Sequence, residues 1–113
     1  MTQCKRGDVW VVNFSPRRGS EQEGNRPALI IQNDIGNQYA ATTIVAAITT
    51  TIKKYPVTVL ISPGESGLKE SSIVNLAQIL TIDKSRLIKR LGQLEGNKAH
   101  EVDDAIKVSL GIK

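Results

Sequence analysis

The chain has 113 residues, a formal net charge of +4, a pI near 9.4 and only 4% aromatic residues. That length fits one domain, 1–113, with a core built mostly from Val, Ile, Leu and Ala. No apolar run is long enough to span a bilayer, the N-terminus lacks the apolar stretch of a secretory signal, and the single Cys4 excludes an intrachain disulfide. These features predict a soluble, cytoplasmic protein without membrane association. The basic balance suits an acidic partner such as nucleic acid or an acidic protein, and equally a merely solvated surface.

Asp8 to Phe14 is β-branched and aromatic and predicts a strand with both faces partly covered. Arg6-Gly7-Asp8 ahead of it reads as a turn, and Cys4 sits on a terminus expected to fray. Ser15 to Asn25 is rich in Gly, Ser and charge and lacks apolar periodicity, so it predicts a long loop suited to act as a lid. Ala28 to Gln32 is a buried strand. Pro27 stands at its mouth and pushes Arg26 towards extended geometry. Asn33 to Asn37 predicts a turn or short irregular helix, and Thr43 to Thr49 a central strand. A break at Lys53-Lys54-Tyr55-Pro56 precedes a strand over Val57 to Ile61, and Ser62 to Gly67 is a second loop.

Two short strands follow, Ser72 to Leu76 and Gln78 to Ile82, then a tight turn over 81–86 and a last strand, Leu87 to Leu91. Asn97 is the expected N-cap of a terminal helix. Ala99, Val102, Ile106 and Leu110 recur at spacings of 3, 4 and 4 as its apolar stripe. Glu101, Asp103 and Asp104 near its start and Lys107 and Lys113 near its end suit the helix dipole. Short strands, one long loop and one amphipathic helix together predict a mainly β fold, a small barrel with a packed C-terminal helix.

The missing chemistry narrows the function. The one histidine, His100, falls in the terminal helix, where a solvated or packing role is the ordinary one. No cluster of His, Cys, Asp and Glu has metal-ligand spacing, and no glycine-rich phosphate cradle occurs. Neither a metal nor another cofactor is expected. Catalysis would fall to arginine, hydroxyls, carboxylates and backbone. An arginine fork binds phosphate with a permanent charge, and a hydroxyl such as that of Thr49 can bond a phosphate oxygen. Together they can stabilise charge on a pentacoordinate phosphorus. They do not activate water easily, but RNA carries its own nucleophile, the 2′-OH, beside each phosphate. The residue set therefore fits RNA cleavage better than DNA cleavage.

An ordered set of motifs then carries a family likeness: residues 5–10 (KRGDVW), 20–22 (SEQ), 26–34 (RPALIIQND), 44–49 (IVAAIT), 76–79 (LAQI) and 81–87 (TIDKSRL). Together they resemble the MazF/PemK (Kid) toxins, and within them the MazF endoribonucleases of Gram-positive-type toxin–antitoxin modules. The resemblance covers nearly the whole chain. It implies an SH3-like, CcdB/PemK-like barrel that forms a homodimer, cleaves single-stranded mRNA at short sequences and is neutralised by an antitoxin. The family's essential arginine falls on Arg26 and its essential threonine or serine on Thr49. Residues near the RNA in the family match Ser20, Glu21, Asn33 and Gln78.

Read from the residues, Arg26 clamps the scissile phosphate and Thr49 orients the phosphate or the 2′-OH. A pKa above about 12 disfavours Arg26 as a free base. Glu21 is a base only if the loop closes and is otherwise a solvated side chain. Lys53 and Lys54 either track backbone phosphates or solubilise a strand end. Gln78 and Asn33 either read base edges or cap strands. Residues 50–56 and 63–70 depart from the family's pattern, so the cleavage sequence does not carry over. The alternative is a non-catalytic SH3-like binding module or a CcdB-type gyrase poison, which would have no use for the pairing of Arg26 with Thr49.

Overall fold

The computed structural model describes residues 3–14, 24–53 and 56–113. The elements, in chain order, are β1 (Asp8–Asn13), β2 (Asn25–Ile30), α1 (Asp34–Tyr39), β3 (Thr42–Thr49), β4 (Thr58–Ile61), β5 (Ser72–Asp83), β6 (Leu87–Gln93) and α2 (Lys98–Leu110). All strand pairs are antiparallel, in the order β4-β5-β3-β2-β1-β6. The expected mainly β barrel with a C-terminal helix is borne out.

Both faces of the sheet are covered, as the composition of β1 predicts. Trp10, Val12 and Phe14 pack with Ala28, Ile30, Val45, Ile82 and Leu87 on one face. Val9, Leu29, Ala46, Ile48, Val74 and Leu76 pack on the other, where Val102 and Ala105 of α2 cover them. Successive strand residues point to opposite faces, so Leu29 and Ile30 fill two different clusters. Each is fully buried, worth about 1.5–3 kcal/mol of transfer free energy.

Strand pairing leaves the sheet open between β4 and β6, and a backbone contact closes the gap. The 3-10 turn Glu65–Gly67 follows β4 and packs on β6. A Cβ at Gly67 would stand 2.1 Å from the Leu91 carbonyl oxygen, and one at Gly92 2.6 Å from that of Ser66. Only glycine permits this approach. Ser66 is held there in the left-handed region (φ 58°), and its buried hydroxyl has no hydrogen-bond partner. Its N–H donates to Glu95 Oε2 (2.8 Å), which ties the turn to the approach to α2.

Several local expectations need correcting. β2 begins at Asn25, so Arg26 and Pro27 lie within the strand and not before it. The two short strands predicted over 72–82 are one 12-residue strand, β5, interrupted by a bulge. Helix α2 follows Asn97, but the Asn97 side chain makes no capping bond. Its inward face is Val102, Ala105, Ile106 and Ser109, and Ser109 bonds to β5, so Leu110, one residue further round the helix, is turned outward and 59% exposed. Cys4 does not fray. It is buried against Trp10 and Val12, and burial raises the pKa of its thiol, the opposite of what a nucleophile needs.

Gly67→Ala should lower stability by about 2–4 kcal/mol, since the added methyl meets backbone and the φ of +80° is strained as well. Ser66→Gly should be neutral or stabilising. Urea unfolding of both variants checks the pair; equal stability of Gly67→Ala and the parent would refute this closure.

Candidate active site

The proline decides where the site opens. Ile31 N–H donates to the Ile44 carbonyl (2.9 Å), so alternate residues of the strand direct their N–H groups to β3. Counting back by twos from Ile31 reaches Leu29 and then Pro27, which has no N–H to give. The β2–β3 ladder accordingly ends at Ala28↔Ala47. On the other side of β2 pairing continues through Val11↔Pro27 and Val12↔Arg26 to Asn13↔Asn25. Arg26 is thus fixed by β1 while the seam towards β3 has no ladder.

Continuing the register of β2 and β3 by two residues sets Arg26 against Thr49. Both share a face with Ala28 and Ala47 by strand alternation. Arg26 is exposed and Thr49 half-buried. The Thr49 hydroxyl accepts from the Thr51 N–H (3.1 Å), which orients it and leaves its proton available as a donor. A permanently charged fork and a directed hydroxyl at one seam suit an anionic oxygen. The strand register thus directs the two sequence-predicted catalytic residues to the same face at the same end of the β2–β3 seam.

The others divide. Lys53 is exposed, and its carbonyl accepts from the Thr58 hydroxyl (3.0 Å), which holds the segment after β3 beside β4. Gln78 is exposed within the bulge of β5, where Leu76, Ala77 and Gln78 lie between the partners of Ala46 and Ala47. The bulge has fixed supports. Leu76 N–H donates to Val57 O (2.7 Å), Ser109 Oγ of α2 donates to Leu76 O (2.6 Å), and Ala77 N–H donates to Asn75 Oδ1 (3.0 Å). Ser20, Glu21 and Lys54 lie outside the described residues, and so does most of the loop predicted as a lid.

Asn33 lies beyond the far end of β2, roughly 20 Å along the strand from Arg26. It caps α1, its Oδ1 accepting from Gly36 N–H (2.8 Å). Asp34 accepts from the Arg6 N–H (2.7 Å), and that bond is the main reason its carboxyl lies below the usual aspartate range. Arg6 in turn donates to Ile31 O and pairs with Asp103 of α2 at 2.9 Å. A cavity of about 260 Å³ at this end is lined by Arg6, Leu29, Leu94 and Val102, away from the Arg26–Thr49 seam.

Sequence reasoning missed two residues at the seam. Arg86 donates from a guanidinium nitrogen to the Asn13 carbonyl (3.0 Å), which brings a second cation to the end of β1 that carries Arg26's partner, Val12. Its position at the end of the turn over 84–86 gives no local signal. Asn75, paired with Ala47, is the other. Its sequence neighbours are apolar, and only the cross-strand register brings it near Thr49.

A small barrel with an arginine and a directed hydroxyl at one open seam has the geometry to receive a phosphate oxygen. Residues 5–110 match the family described as PemK-like, MazF-like toxin of type II toxin-antitoxin system. The chain is 48% identical over 110 residues to Endoribonuclease MazF of Staphylococcus saprophyticus, a match covering 96% of this chain and 92% of that one. Its fold is similar to MazF of Deinococcus radiodurans (TM-score 0.83, 25% identity, 99% and 100% of the two chains). It is also similar to a mycobacterial endoribonuclease solved in complex with its cognate antitoxin (TM-score 0.83, 25% identity, 97% of each chain). The chain belongs to the PemK/MazF toxin family, as its motifs imply.

Asn33→Ala should cost about 1 kcal/mol through the lost cap. Thermal unfolding and RNA cleavage measured together separate this role from RNA contact: a cap alone predicts a lower Tm with unchanged kcat/KM.

Proposed function

We propose that this chain is a metal-independent, sequence-specific endoribonuclease, the toxin of a toxin–antitoxin pair that inhibits translation and growth by cutting single-stranded mRNA. The reading is carried by the β2–β3 register, which ends at Ala28↔Ala47 and, continued by two residues past Pro27, faces Arg26 with Thr49. The 48% identity to an endoribonuclease supports the same conclusion.

In this mechanism the Arg26 guanidinium holds the non-bridging oxygens of the scissile phosphate. It stabilises the charge that builds as the 2′-oxygen approaches phosphorus. Thr49 donates to a phosphate oxygen or to the 2′-oxygen and fixes the in-line arrangement. The 2′-OH loses its proton, the 2′-oxygen bonds to phosphorus, and the 5′-oxygen leaves and takes a proton. The products are a 2′,3′-cyclic phosphate and a 5′-OH. Gln78 in the bulge of β5 and Lys53 in the segment after β3 are suited to base and phosphate contacts respectively. Ser20, Glu21 and Lys54, which lie outside the described residues, would add further RNA contacts. Asn33 would meet the RNA several nucleotides away, if its amide contacts RNA while the carbonyl caps α1.

The working unit is a homodimer of this single domain, 1–113, acting in the cytoplasm and inhibited by a cognate antitoxin. Exposed apolar side chains, Ile35 and Tyr39 on α1 and Val108, Leu110 and Ile112 at the C-terminal end, give protein partners surface to bury. The net positive charge suits both RNA and an acidic antitoxin. No described helix is long and apolar enough to cross a membrane.

Mixed-sequence RNA incubated with the protein in EDTA should yield discrete fragments. Arg26→Ala should lower kcat by at least about a hundredfold, the scale for losing a group that stabilises transition-state charge, with the thermal melt unchanged. Intact RNA with a mobility shift would instead indicate a binding module. Full cleavage by a protein carrying Ala at both 26 and 49 would end the mechanism.

A further inference from the structure

Asn75 stands in an unusual position for a polar residue. It is half-buried on β5 and paired with Ala47 on one side and Thr58 on the other. Directly paired residues share a face, so Asn75 is on the face that carries Ala28 and Ala47. Thr49 pairs with Ile73, which makes Asn75 its diagonal neighbour across the β3–β5 ladder. That diagonal brings side chains within reach of one another, at about 7–8 Å between backbones. Arg26 follows on the other side of Thr49.

The orientation of the Asn75 amide is set by chemistry. Ala77 N–H can only donate, so the atom 3.0 Å from it is the acceptor Oδ1. This is an Asx turn, in which a side-chain oxygen receives the N–H two residues on. It fixes the side chain and opens the bulge that exposes Gln78. With Oδ1 committed, Nδ2 is a donor pair held in one direction, and no described residue accepts from it. A preorganised neutral donor costs little conformational entropy when it binds.

We propose that Asn75 is a specificity-determining residue, whose Nδ2 donates to an acceptor on the edge of a base next to the scissile phosphate. This inference rests on the endoribonuclease reading above. A neutral, fixed amide is suited to base edges, which are read by hydrogen-bond pattern, while phosphate is already met by the cations Arg26 and Arg86. Asn75 and Gln78 then work as a pair. The Asx turn at one residue shapes the bulge that displays the other, and both amides face the nucleotides flanking the cut.

The test is Asn75→Ser. A serine hydroxyl can accept from the N–H two residues on and so keeps the turn, while the NH2 is lost and the one remaining hydroxyl proton, on a shorter side chain, does not reach where Nδ2 does. Cleavage of a mixed transcript, with the 5′ ends of the fragments sequenced, should show relaxed preference at one position flanking the cut. On the parent's best site kcat/KM should fall about tenfold. Unchanged sites and rates would overturn the proposal, and so would an equal loss at every site. Asn75→Asp, which also retains the acceptor, serves if the serine variant does not fold, with a change of base preference again as the expected result. The parent protein and Arg26→Ala run in parallel keep the two readings apart. Parent cleavage lost in Arg26→Ala leaves the nuclease standing whatever Asn75→Ser does.

Discussion

The absent N–H of Pro27 is the constraint on which the site depends. A proline in a central strand removes one ladder bond, which confines it to edges, strand ends and bulges. Here β2 is a central strand, yet Pro27 is accommodated because its ring nitrogen faces β3 where pairing stops. The same residue restricts Arg26 to extended backbone, and β1 pairs with Arg26 and so holds that geometry. One imino acid therefore both opens a seam and stiffens the cation beside it. Backbone that would otherwise be consumed by the ladder is left for a ligand.

The rest of the fold supplies rigidity around that gap. Strands buried on both faces must carry apolar residues at consecutive positions, and β3 does so from Val45 to Ile48. Small residues are buried on both faces of the sheet, Ala46 and Ala105 where α2 packs and Ala28 and Ala47 on the other side. The bulge in β5 breaks the regular pattern opposite Ala46 and Ala47, and it is supported from the opposite side by Ser109 of α2. The terminal helix thus reaches the region of the site through a hydrogen bond to Leu76. This is a physical link between the exposed C-terminal surface and the strand that carries Asn75 and Gln78.

The sequence revealed the existence of most elements because β-branched runs and the helical stripe are local patterns. Arg26 and Thr49 stand out as candidates for a different reason: histidines and metal clusters are missing, and the family resemblance falls on these two positions. What was hidden depends on pairing. The start of β2 is set by its register with β1, so Asn25 and Arg26 were read as loop and mouth. β5 looked like two strands because Leu76-Ala77-Gln78 interrupts the alternation, and a bulge within one strand produces the same interruption. Leu110 fits the stripe by spacing, yet it is Ser109, one residue earlier, that faces the sheet at that end of the helix. Asn33 carries a motif match to the RNA-contact set, and in the fold its carbonyl caps α1.

In the proposed mechanism the proton chemistry at Arg26 is limited by its permanent charge. Guanidinium remains charged over the whole working range of pH, so a role in removing the 2′-OH proton would require it first to give up its own. Charge stabilisation carries no such requirement. The phosphorane gains negative charge as the 2′-oxygen arrives, and a fixed cation beside it lowers that barrier without moving a proton. The leaving 5′-oxygen is the site where a donor helps most, and an arginine fork has several N–H groups to aim at it while still holding the phosphate. On this account the seam needs no perturbed carboxylate or imidazole. The nucleophile belongs to the substrate, and the protein contributes the angle of attack and the charge.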